Sequence, residues 1–308
     1  MISFCNFALM NLVNKNNPPK YDTFATIGFF DGVHLGHSFL LKELNTLAKN
    51  CNLQSLVVSF FVSPQQILNP SLKIKQLSTT EEKVALFEQL QLDNCLLLDF
   101  DKNLSQKTAF EFLSLLRNEF RVKKLLMGYD HRFGCDKISS FDEYKEIGKR
   151  IGVEVINCTS FLLKENNVSS SIIRNLVCNG KIKEANDLLG YSYSLTGEVK
   201  NGNKIGRKIG FPTANLTIDK NKLLPKNGVY VVDVIFKENK FKGLVNIGTR
   251  PTINGENKTI EVHIIDFNEE IYKETITLNI KKRLRDEQKF DSLDQLKAQI
   301  EIDKANIE

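Results

Sequence analysis

The chain has 308 residues, 42% hydrophobic and 26% charged, with a net charge of +5. That length suits two domains or one large α/β domain of ordinary globular composition, and no stretch is long enough to span a membrane. The mild basicity suits anionic small molecules such as nucleotides and is too weak to imply nucleic acid.

Six scattered cysteines (Cys5, Cys51, Cys95, Cys135, Cys158, Cys178) form no CxxC pair, which argues against a zinc site or disulfide framework and for a reducing compartment. The first fourteen residues are fairly apolar. They lack a basic lead and are interrupted by Asn6 and Asn11, so no signal peptide is expected and the chain reads as cytoplasmic.

After a polar, proline-containing lead-in, an apolar run around Phe24 and Ala25 predicts a short buried strand. Residues 38–50 carry Leu40, Leu41, Leu44, Leu47 and Ala48 at helical spacing. Between them, residues 26–37 form a strand-to-helix turn with glycines at 28, 32 and 36 and histidines at 34 and 37. Strands are then expected over 55–60, 96–98, 124–127 and 153–156. They alternate with helices over 79–90, 107–120 and 142–151, the first opened by a Thr79/Glu82 capping box. Continuous apolar strands alternating with helices predict a parallel sheet covered on both faces, with ligands at the carboxyl ends of its strands. Residues 169–190 read as a helical segment joining two halves. Beyond it, alternating runs over 229–235, 243–247, 260–264 and 274–280 predict a small antiparallel barrel, closed by a helix over 292–307.

A helix N-terminus offers unpaired N–H groups and partial positive charge, and His34 and His37 can each donate to phosphate oxygens. Glycines alone would make this an ordinary tight turn. Two of the chain's four histidines inside one such turn point to phosphate. The segment Gly28-Phe-Phe-Asp-Gly-Val-His-Leu-Gly-His37 resembles the HxGH nucleotidyltransferase motif, in the wording of the adenylyltransferase half of bacterial bifunctional riboflavin kinase/FAD synthetases.

That resemblance implies a Rossmann-like domain in which His34 and His37 hold the phosphates of ATP, with Gly28, Phe30, Asp31, Gly32 and Gly36 around them. Residues 168–174 resemble the family's ISSTxIR motif, which implies phosphate contacts for Ser170, Ser171 and Arg174. Residues 128–137 resemble its GxDFxFGxxR loop, implying flavin contacts for Gly128, Asp130, Arg132 and Phe133. His131 stands there in place of phenylalanine and Lys137 in place of arginine. Residues 60–64 keep the outline of the TFxPHP loop without its histidine.

In the second half, Gly202, Gly206 and Gly210 are interleaved with Lys204, Arg207 and Lys208 in a cationic loop that is not a Walker A sequence. Backbone amides in such a loop can wrap phosphate, Pro212 stiffens the approach, and Thr213 and Asn215 offer oxygens suited to Mg²⁺. The string Gly210-Phe-Pro-Thr-Ala-Asn215 resembles the riboflavin kinase signature. A kinase acting on an alcohol needs a proton acceptor. Strand alternation puts Glu261 and His263 on one face; by pattern alone Glu261 is a solvent-facing residue, and the resemblance makes it the base. The resemblance also implies a flavin wall at Asn246 and Arg250, and Arg285 matches the segment before the final helix, ordering that region more than joining the chemistry.

The expected molecule has an adenylyltransferase domain over 1–184 and a kinase domain over 185–308. It takes riboflavin, FMN and ATP as small-molecule substrates with Mg²⁺, makes FMN and FAD, and engages neither nucleic acid nor membrane. Two alternatives stand beside it. In one, adenylation is weak or lost and only the kinase works, as the changes at His131 and Lys137 allow. In the other, a basic binding protein turns nothing over; it would need a basic–aromatic ladder on the barrel strands, where only Tyr230, Phe236 and Phe241 occur.

Overall fold

The structure, a computed structural model, describes residues 10–128, 131–158, 168–201, 206, 210–252 and 255–307, without the side chains of 250–252 and 255–257. The chain divides into two compact units, Met1–Ile74 with Ser78–Val168, and Lys75–Leu77 with Ser169–Glu308.

The first unit is built on strands β1 (Asn11–Val13), β2 (Thr23–Ile27), β3 (Gln54–Phe60), β4 (Asn94–Leu98), β5 (Val122–Met127) and β6 (Glu154–Asn157), in the order β1-β4-β3-β2-β5-β6. Every pairing is parallel. Helices α1 (Leu35–Asn50), α2 (Pro64–Leu68), α3 (Thr80–Gln89), α4 (Lys102–Ser105), α5 (Ala109–Glu119) and α6 (Phe141–Ile151) connect them.

Strand alternation sorts the core into two layers. Ala25, Leu56, Val58 and Leu125 pack with Leu113, Leu116 and Tyr144 of α5 and α6. Phe24, Val57 and Leu126 pack with Leu41, Leu44 and Phe87 of α1 and α3. Both faces of the sheet are therefore apolar, which is why its strands read as continuous rather than alternating runs. From β2 the chain winds outward through β3 and β4, then returns to place β5 on the other side of β2. The carboxyl end of β2 is thus the switch point where open α/β sheets form their ligand crevice.

Local sequence sets the helix ends. Thr79/Glu82, Thr108/Glu111 and Ser140/Glu143 all form capping boxes. Three short elements of this unit, β1, α2 and α4, were not anticipated from the sequence.

The second unit begins with α7 (Ser170–Cys178) and α8 (Ile182–Leu189). The single helical segment expected over 169–190 is therefore two helices. Gly180 takes a left-handed φ of 74°, and a Cβ there would lie 2.6 Å from Cδ of Arg283. Strands β7 (Ser194–Lys200), β8 (Ala214–Ile218), β9 (Gly228–Phe236), β10 (Asn239–Thr252), β11 (Gly255–Ile264) and β12 (Thr275–Arg285) close into an antiparallel barrel of order β10-β11-β8-β7-β12-β9. Val232, Val234, Val245, Val262, Leu278 and Ile280 are buried in it. Helix α9 (Leu293–Ala305) is capped by Ser292 and held to the end of β12, where Arg285 donates from Nε and Nη2 to the Asp303 carboxylate at 2.7 to 3.0 Å.

Candidate active sites

At the end of β2 the backbone turns sharply into α1. Phe30 sits in the left-handed region (φ 54°), followed by a 3-10 turn over Asp31–Val33 in which Gly32 has φ 75°. A Cβ on Gly28 would meet the Phe30 ring at 2.7 Å, so only glycine lets that ring fold back beneath the turn. Phe30 then packs edge-on against His37 and Phe87.

His34 caps α1, its Nδ1 accepting from the His37 backbone N–H at 3.3 Å. That bond leaves Nδ1 without a proton, so a neutral His34 carries its proton on Nε2 and presents it as a donor. The two imidazoles stack 3.6 Å apart at 17°. Nδ1 of His37 is buried with no hydrogen-bond partner. Burial first, then the charges of His34 and Lys83, hold the His37 pKa well below its usual value, so its ring is neutral at physiological pH. A negative charge placed beside the ring would act in the opposite direction and favour its protonated form.

Two residues with no motif signal support this turn. Ser78 donates its N–H to Asp31 at 3.2 Å and accepts from Gly32 N–H on Oγ at 3.1 Å. Lys83 of α3 bonds the carbonyls of Phe29 and Phe60. Lys83 follows the capping-box Glu82, where a lysine usually faces solvent; here it is 3% exposed.

Gly128 directly follows β5, and its carbonyl accepts from His131 N–H at 3.1 Å. Asp130 lies outside the described residues. Arg132 is exposed and donates to the carbonyls of His131 and Ser139. Phe133 is half-buried, packed on Phe112 and Tyr144, with its backbone tied both ways to the Tyr144 hydroxyl. Ser170, Ser171 and Arg174 sit in the first turns of α7, which groups with the second unit, whereas His34 and His37 belong to the first. There Ser169 provides the cap, and Arg174 donates to Ser171 Oγ at 3.4 Å.

In the barrel, strand register decides the geometry. Glu261 pairs directly with Asn246 on one side and Asn215 on the other. The three side chains form a half-buried row across β10, β11 and β8, while Ile260, Val262 and Ile264 point into the core. Thr213, exposed, lies just ahead of β8 and two residues before Asn215, while the register sets the Asn215 amide beside the Glu261 carboxylate. His263 shares that face: its Nδ1 meets the Pro212 carbonyl at 2.9 Å, and its ring lies edge-on to Phe211 at 5.3 Å. A carbonyl only accepts, so Nδ1 carries the proton. A shallow, open depression lies beside Thr213, lined also by Pro212, Val262, Phe267, Glu270 and Tyr272.

Gly206 accepts from Phe211 N–H at 2.8 Å, and a Cβ at Gly206 would strike the Phe211 carbonyl at 2.1 Å. Gly210 is left-handed at φ 86°. Gly202, Lys204, Arg207 and Lys208 lie outside the described residues, as does the side chain of Arg250. Arg285 commits its guanidinium to Asp303 and the Asp286 carbonyl, an arrangement that orders α9.

A doubly wound sheet with a histidine turn at its switch point, followed by a barrel bearing a Thr–Asn–Glu face, defines a two-unit phosphate-transfer protein. A family model described as riboflavin kinase matches residues 189–308, and one described as FAD synthetase matches residues 16–172. Bifunctional riboflavin kinase/FMN adenylyltransferases are similar throughout. That of Buchnera aphidicola (from Schizaphis graminum) is 37% identical over 91% of each chain. That of Haemophilus influenzae is 37% identical over 90% of this chain and 91% of its own, and that of Escherichia coli K12 is 35% identical over 94% and 93%. A crystal structure from Streptococcus pneumoniae, described as a macrolide-efflux protein, superposes with a TM-score of 0.84 at 31% identity, covering 97% of this chain and 98% of that one. Among the described residues here, no helix is long and apolar enough to cross a membrane. The chain belongs to the bifunctional riboflavin kinase/FMN adenylyltransferase family.

Proposed function

We propose that this enzyme makes FAD in two ATP-dependent steps, with the functional division at residues 184 and 185. The barrel phosphorylates riboflavin at its 5′-hydroxyl to FMN, and the sheet unit transfers the adenylyl group of a second ATP to FMN, releasing pyrophosphate.

In adenylyl transfer, a phosphate oxygen of FMN bonds to the α-phosphorus as the bond to the pyrophosphate oxygen breaks. That oxygen is ionised at neutral pH, so no base is required; the task is alignment and charge neutralisation. His34 Nε2–H, the His37 ring and the backbone around Gly32 and Gly36 take the triphosphate at the amino end of α1, with Phe30 and Asp31 shaping the turn. The likeness of residues 168–174 to the family motif is what assigns Ser170, Ser171 and Arg174 to phosphate. Gly128, Asp130, Arg132 and Phe133 form the flavin side.

In the kinase step, Glu261 accepts the hydroxyl proton as the oxygen attacks the γ-phosphorus and ADP leaves. Asn246 and Arg250 belong to the flavin side, with Arg285 ordering the segment beside it, and Gly202, Gly206, Arg207, Gly210 and Pro212 belong to the ATP loop. The hydroxyl of Thr213 and amide oxygen of Asn215 suit a hard cation, and among the described residues no cluster of three His, Cys, Asp or Glu side chains exists to hold one unaided. Thr213 and Asn215 would hold Mg²⁺ together with the nucleotide, and the ion would supply charge neutralisation for the phosphates. Substrates are small molecules in the cytoplasm; neither nucleic acid nor membrane enters the scheme.

One observation carries this reading: each unit gathers a separate set of polar side chains suited to phosphate chemistry, the stacked His34/His37 pair in one and the Asn215–Glu261–Asn246 row in the other. The test is chromatography of products with riboflavin as sole flavin, then with FMN. Glu261→Ala should abolish FMN formation and leave conversion of supplied FMN to FAD; His37→Ala should do the reverse. Loss of both activities by either folded variant would refute separate sites. The changes at His131 and Lys137 favour one second reading, a kinase with weak adenylation, for which the wild type would stop at FMN.

A further inference from the structure

We propose that Lys83 is the positioning residue of the adenylyl-transfer site, its ammonium clamping the outgoing ends of two neighbouring strands and keeping a buried positive charge behind the two histidines. This rests on the adenylyl-transfer reading of the first unit.

Lys83 Nζ donates to the Phe60 carbonyl at 2.8 Å and the Phe29 carbonyl at 3.2 Å, and stands 4.4 Å over the Phe29 ring. Ser59 Oγ bonds the same Phe29 carbonyl at 3.1 Å. Phe29 and Phe60 are where β2 and β3 leave the sheet, so one side chain from α3 sets the spacing of both exits. Phe29 directly precedes Phe30, whose left-handed backbone begins the turn to His34. Displacing that exit moves both histidines.

A buried ammonium is costly in apolar surroundings, and both hydrogen bonds end on neutral carbonyls. The titratable groups facing it are Asp31 from the turn, His37 from α1 and Cys95 from β4. The Cys95 thiol, pushed up to about 12 chiefly by burial, stays neutral. Burial brings the Lys83 pKa down to about 8, against the opposing pull of Asp31. A bound triphosphate adds negative charge nearby and moves this titration upward, holding the charge during turnover.

The test measures FAD from FMN and ATP, and FMN from riboflavin and ATP, in the full-length wild type, Lys83→Met and Lys83→Arg from roughly pH 6.5 to 9.5. Lys83→Met should lose FAD formation about a hundredfold, the scale of a small misplacement of reacting groups, while keeping FMN formation. Wild-type kcat/KM for adenylation should fall as pH rises through about 8, with the kcat limb at higher pH; Lys83→Arg should lack the limb. FAD formation by Lys83→Met within about threefold of wild type, or an unchanged alkaline limb in Lys83→Arg, overturns the proposal. If Lys83→Met does not fold, the comparison of wild type with Lys83→Arg decides alone. A wild type that makes no FAD at any pH would remove the adenylyl-transfer reading itself.

Discussion

Glu261 stands between two amides, and its value to the reaction lies in being a carboxylate there. Glu261→Gln keeps the shape and loses the basicity, so FMN formation should fall by roughly 10²- to 10⁴-fold with riboflavin binding, followed by flavin fluorescence, little changed. His263 holds the Pro212 carbonyl ahead of Thr213. His263→Phe removes one hydrogen bond of about 1 kcal/mol and should raise the KM for ATP in the kinase assay roughly fivefold, with kcat moving less. His37 has a pH signature. Its folded pKa lies below the unfolded value, so as pH falls through about 6.5 the unfolded chain takes up a proton that the folded chain refuses, and stability drops. Denaturant unfolding at pH 7.5 and 5.5 should show a smaller acid loss in His37→Gln than in the wild type.

Among elements, the barrel wall holds its own charge cluster. Asp233 of β9 is buried and meets Lys240 and Lys242 of β10 and Lys281 of β12 at 2.8, 3.1 and 3.0 Å. Burial alone would raise its pKa; the hydrogen bonds from Lys240, Lys281 and Lys242 outweigh that and bring it to about 2. The folded value is the lower one, so this stabilisation is present above about pH 4 and is lost as pH falls towards about 2. The lysines are partly exposed and screened, so Asp233→Asn should cost only about 1–2 kcal/mol at neutral pH, and less at pH 3, by guanidinium unfolding. The Arg285–Asp303 pair is better shielded, with side chains 17% and 5% exposed. Asp303→Ala strands the arginine and should cost about 3 kcal/mol, read most directly as faster hydrogen exchange along α9.

At the scale of the whole molecule, each unit has its own hydrophobic core, so damage to one core should be felt first in one activity. Leu113 is fully buried between α5 and the sheet. Leu113→Ala should cost about 3 kcal/mol of the first unit's stability, lowering the temperature at which FAD formation fails while FMN formation keeps its wild-type profile. A calorimetric trace for such a chain need not be a single two-state transition.

The sequence by itself determined the type and approximate extent of most elements, because periodicity, caps and breakers act within a few residues. Thr79 with Glu82 and Gly190 at the close of α8 could be read where they stood. It also carried the histidine turn and the Thr213–Asn215 string, since those motifs are contiguous. Strand order and register depend on partners distant in the chain and are settled by which faces pack. Only the tertiary structure therefore put β2 at the switch point, set Glu261 between Asn215 and Asn246, and broke the segment 169–190 at Gly180 to admit Arg283. Lys83 is the sharpest instance. Its neighbours in sequence mark a solvated helix start, and its burial beneath the turn arises because β2 and β3 end side by side under α3.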